Sequence, residues 1–139
     1  MNHTASAYWS ALRTTLRKTA AAYGYTLTIA TTVAVLTTTR GKPHTSELFL
    51  FVAGGIAGFA ILDGVLQAVA IPGDEEPEQA FPFAGTLNFV SVIAALATAT
   101  GVARGLHSSL AWLLAPMAAT VVYMLLVALQ ITLIAAFRR

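Results

Sequence analysis

Residues 48–71, LFLFVAGGIAGFAILDGVLQAVAI, decide how this chain folds: the run is apolar from end to end and carries one charge, Asp63. A helix needs about 20 mostly apolar residues to cross about 30 Å of hydrocarbon. The segment therefore reads as a membrane-spanning helix with a carboxylate inside it.

Outward from it, the same reading repeats. No charge stands between Lys18 and Arg40, which gives a span over about 20–39. The uncharged stretch between Glu78 and Arg104 gives another over about 83–102, and 110–137 a last one with room to tilt or to kink at Pro116. Connections at 40–47, 72–82 and 103–109 are short, so neighbouring helices run antiparallel. The fold class expected is an all-α, antiparallel four-helix transmembrane bundle forming a single domain.

Composition agrees with that class. The 139 residues are 57% apolar and 10% charged, with a mean hydropathy of +0.73. Soluble domains carry about a quarter charged residues. A net charge of +2, scattered over segment ends, is no footprint for nucleic acid. Zero cysteines exclude disulfides, thiolate metal sites and thiol catalysis.

Ala5, Tyr8, Trp9, Leu12 and Leu16 recur at helical spacing, with Arg13, Arg17 and Lys18 mostly elsewhere around the helix. Residues 5–18 thus read as an amphipathic helix lying in the interface, with Trp9, Arg13, Arg17 and Lys18 as its anchors. A polar extension of the first span is the plainer alternative. Lys and Arg in the short flanks set orientation. Arg13, Arg17, Lys18, Arg138 and Arg139 face one side, against Arg40, Lys42 and Arg104 on the other. This places both termini in the cytoplasm of a multi-pass protein of the cell membrane.

Asp63 is the most informative residue. A charged side chain inside a span costs at least ~2.5–3.5 kcal/mol at the bilayer centre and usually faces water or a partner. Gln67 follows one turn on, on the same face. Counted from the segment ends at 1.5 Å per residue, Asp63, Gln67, Asn88 and Gln130 fall in one half of the membrane. Thr26 and Thr28 reach comparable depth. One reading is a hydrated layer passing small cations or protons, since amides and hydroxyls can replace water around an ion. The blander reading is hydrogen-bonded glue between helices, worth about 1 kcal/mol or less per bond.

On the opposite face of the same helix, Gly54 and Gly58 form a small-xxx-small pair that lets helices pack closely, within one chain or between copies. Threonine and serine stripes on the first and third spans read mainly as packing faces with hydroxyls bonded to their own helix. Asp74, Glu75, Glu76 and Glu78 read as a solvated loop, and His44 and His107 as isolated histidines. No metal site and no cofactor is expected.

Nucleotide-binding loops, hydrolase elbows and zinc-protease helices have no counterpart in the sequence. The lone intramembrane acid has no second catalytic group at a useful spacing, so no enzyme is expected. Two functions follow as expectations. The first is a self-associating membrane protein with an ion or proton path around Asp63. The second is a non-conducting accessory, scaffold or effector subunit of a larger membrane complex.

Overall fold

The computed structural model describes residues 23–68 and 84–137. These form four helices and no strand: α1 (residues 23–40), α2 (Thr45–Ala68), α3 (Ala84–Gly105) and α4 (Leu110–Phe137). Three of them, α2, α3 and α4, are long and apolar enough to cross a membrane. The expected interfacial helix with Trp9, Arg13, Arg17 and Lys18, the acidic loop 74–78 and the start of the first span lie outside the described residues.

Helix ends follow local chemistry. α1 stops at Arg40 because Gly41 takes a left-handed φ of 84° and its N–H returns to Thr37 O at 3.0 Å, the backbone turn that glycine permits at a helix C-terminus. α2 begins at Thr45, three residues before the expected 48. There the His44 carbonyl accepts the Glu47 and Leu48 N–H groups, while Glu47 Oε2 reaches back to the His44 N–H at 2.9 Å. This capping arrangement satisfies donors that the first turn would otherwise leave open. α3 runs to Gly105, beyond the expected 102, and carries Arg104 in its last turn. α4 passes through Pro116 without a break.

The packing order was not evident from sequence. α4 packs against both α2 and α3, whereas no Cα atoms of α2 and α3 come within 8 Å among the described residues. α1 completes the group by touching α2 through Tyr25 and Phe59, and α4 through Tyr25 and Tyr123. Small residues make α4 the inner helix. Ala111, Ala115 and Ala119 are fully buried, and so are Ala95 and Ala99 of α3 and Leu36 of α1. Trp112 and Tyr123 fill the space beside them.

Gly54 and Gly58 are what bring α2 onto α4. A Cβ on Gly54 would run into the Leu113 carbonyl oxygen, and one on Gly58 would come to 3.0 Å from Met117 O and Thr120 Cβ. The glycine face is therefore occupied inside the chain. Of the two partners the small-xxx-small pair allows, a helix of the same chain or another copy, the structure has the first at Gly54 and Gly58.

At one end the two corners are tied together. Arg40 Nη2 donates to Ser108 O at 2.9 Å, and Ser109 Oγ donates to Glu47 Oε1 at 3.3 Å. These contacts put the 41–44 and 106–109 connections side by side.

Candidate functional site: the polar layer far from the corners

With the corners fixed, heights along the helices follow from the 1.5 Å rise. Asp63 lies about 27 Å along α2 from Thr45, Asn88 about 26 Å from Gly105, and Gln130 about 30 Å from Leu110. Gly24 lies about 24 Å from Arg40. Counted this way, the polar groups come out at similar heights, toward the end of the bundle away from the corners.

Within that level they divide. Tyr123 Oη of α4 donates to Asn88 Oδ1 of α3 at 2.7 Å. Ser91 Oγ of α3 donates to Gln130 Oε1 of α4 at 3.2 Å. Gly24 of α1 sits against the first pair, where a Cβ would collide with Asn88 Nδ2 and the Tyr123 hydroxyl. Three helices thus meet around two hydrogen bonds, with Ser91 and Tyr123 buried and Asn88 and Gln130 half-buried. Thr28 is buried one turn from Gly24 and donates to the Gly24 carbonyl at 2.9 Å.

Asp63 is elsewhere. Its side chain is exposed on α2, about 140° around the helix from Gly58 and 180° from Gly54. That is the side turned away from α4. Because α2 and α3 stay more than 8 Å apart, Asp63 and Asn88 do not stand side by side. The side chain of Gln67 lies outside the described residues.

Asp63 continues an exposed stripe of Phe49, Val52, Ile56 and Phe59, of which Phe49 is 74% and Ile56 64% exposed. Beside this stripe an open apolar groove of about 350 Å³ runs between α1 and α2, from Ile29 and Phe51 to Tyr25 and Phe59.

Sequence reasoning missed Tyr123 and the pairing of Ser91 with Gln130. A tyrosine inside an apolar span was the available signal, since a buried hydroxyl needs a partner. The threonines of α1 behave as ordinary helix hydroxyls: Thr31, Thr32, Thr37, Thr38 and Thr39 all donate to carbonyls three or four residues back. Among the described residues no group of three or more His, Asp or Glu side chains is placed to hold a metal ion.

Compared with protein families, curated proteins and solved structures, the chain matches none. The chemistry of the exposed carboxylate and of the closed amide pairs therefore carries the functional argument.

Proposed function

We propose that this chain is a multi-pass protein of the cell membrane, an antiparallel four-helix bundle with both termini in the cytoplasm. It associates with further copies along the outer face of α2, and gives small cations or protons a path past Asp63. The observation that carries the reading is the exposed position of Asp63 on the side of α2 turned away from α4. A carboxylate presented sideways from a spanning helix marks a place where water, headgroups or another protein surface can meet that helix. If the tied corners mark one membrane face, the carboxylate stands about 27 Å away along α2, near the far edge of a hydrocarbon core about 30 Å thick. At that depth a carboxylate is accessible to one aqueous phase, and copies meeting along α2 would gather several.

The alternative is a non-conducting accessory or scaffold subunit. The paired amides favour it, because Asn88 with Tyr123 and Gln130 with Ser91 already serve as ties between α3 and α4.

Flux in proteoliposomes separates the two. After a pH or voltage jump, K⁺, Na⁺, Cl⁻ and H⁺ movement is measured for the native chain and for Asp63→Asn. The conducting reading expects cation or proton flux that Asp63→Asn abolishes or makes unselective. No flux of any of the four, with the protein correctly inserted, overturns it and leaves the accessory role.

A further inference from the structure

We infer that the corner end of the bundle is a seat for the headgroup of an anionic phospholipid, held by Arg40, Lys42 and Arg104. The inference rests on the membrane-spanning part of the proposed function alone. It needs neither a path past Asp63 nor a second copy.

Every Lys and Arg among the described residues stands at this end. Arg40 and Lys42 lie on the way from α1 to α2, and Arg104 in the last turn of α3. The tie between the two connections draws them together, because Arg40 reaches the Ser108 carbonyl directly. Lys42 follows Arg40 by two residues and Arg104 precedes Ser108 by four, separations of at most about 7 and 14 Å between Cα atoms.

Nothing nearby among the described residues cancels this charge. Glu47 is the one acidic residue described at this end, and both its oxygens are engaged: Oε2 takes the His44 N–H and Oε1 the Ser109 hydroxyl. Lys42 and Arg104 are exposed and have no ion-pair partner among the described residues. Arg40 is half-buried and held in place, with one of its guanidinium donors on Ser108 and the fork otherwise left to a ligand. α4 also starts here with no acidic residue in its first turn, so the positive end of its dipole adds to the same side.

Position selects a lipid over a free anion. The apolar stretches of α2, α3 and α4 begin or end at Thr45, Gly105 and Leu110, which puts the three cations at the edge of the hydrocarbon, where headgroups lie. Leu110, two residues beyond Ser108, is exposed and offers apolar surface to the acyl chains. A lipid phosphate at this level gains charge-assisted hydrogen bonds and keeps its tails in contact with the helices. A free anion gains only the first.

The test uses the full chain in phosphatidylcholine nanodiscs containing a minor fraction of phosphatidylglycerol. The probes are the two lipids carrying the same photoreactive group close to the headgroup, with labelled residues located by mass spectrometry. The expected result is labelling within 40–44 and 104–110, with phosphatidylglycerol favoured about tenfold or more. Lys42→Gln and Arg104→Gln, both at exposed positions, should each lower that preference about three- to fivefold, and together bring it close to one. Equal labelling by the two lipids, a preference unchanged in the double variant, or labels concentrated at the opposite end of the bundle would each overturn the proposal. Loss of the preference in millimolar inorganic phosphate would assign the corner to a free anion and overturn the lipid seat. A chain that stays outside the disc would contradict membrane spanning itself, whereas an inserted chain without the preference contradicts the seat alone.

Discussion

The Tyr123 hydroxyl donates to Asn88 Oδ1 at 2.7 Å directly against the backbone of Gly24, so one hydrogen bond joins α3 and α4 beside α1. The glycine is what makes the arrangement fit. Gly24→Ala should destabilise the protein by about 1–3 kcal/mol through overpacking, and Tyr123→Phe by about 0.5–1.5 kcal/mol through loss of the bond. The double variant should lose less than the sum, because removing the hydroxyl relieves part of the clash. Reversible unfolding in mixed micelles measures all three.

The glycines of α2 should rank by what lies beyond them. Gly54 faces the Leu113 carbonyl, a backbone atom that cannot swing away, and Gly58 faces Met117 O and Thr120 at 3.0 Å. Gly55 meets an ordinary contact, and Gly64 meets nothing within 4 Å. Alanine at these positions should therefore cost most at 54, less at 58 and little at 55. At 64 it should be neutral or slightly stabilising, alanine being the better helix former. Equal effects at 54 and 64 would contradict the close contact between α2 and α4.

Thr120 is fully buried at that contact, and its hydroxyl has no hydrogen-bond partner among the described residues. Thr120→Val keeps the shape facing Gly58 and removes the stranded polar atom. It should stabilise the protein by about 1 kcal/mol, read as a higher midpoint of thermal unfolding in detergent.

How much of this is legible in sequence depends on whether a feature is local. The uncharged run over 105–137, with Ser108 and Ser109 ahead of its apolar part, gives limits that agree with α4, Leu110–Phe137. α2 starts early because Glu47 turns back to cap its own helix, a side-chain choice that a count of apolar residues passes over. Depth arithmetic puts Asp63, Asn88 and Gln130 at similar heights, since the rise per residue is fixed. It is silent on direction around the bundle, which depends on which helices touch. That α4 rather than a neighbouring copy covers Gly54 and Gly58 is a tertiary fact. So is the separation of α2 from α3, which keeps Asp63 and Asn88 from standing side by side.

The corner end should contribute modestly. Glu47 caps α2 and accepts from Ser109, both at the surface. Glu47→Ala should cost about 0.5–2 kcal/mol through the lost cap, and Glu47→Gln less, because the amide oxygen still accepts. Arg40→Ala should stay under about 1 kcal/mol, as expected for an exposed contact.

Disulfide cross-linking in native membranes tests the proposed association along α2 most directly, and the lack of cysteines in the sequence makes single substitutions clean. Ile56→Cys, on the stripe that leads to Asp63, is compared with Ile93→Cys on α3 and Leu125→Cys on α4, all three exposed positions. Efficient dimer formation by Ile56→Cys, with little from the other two, is the result expected. Cross-linking at 93 or 125 with none at 56, or at no position, would contradict it.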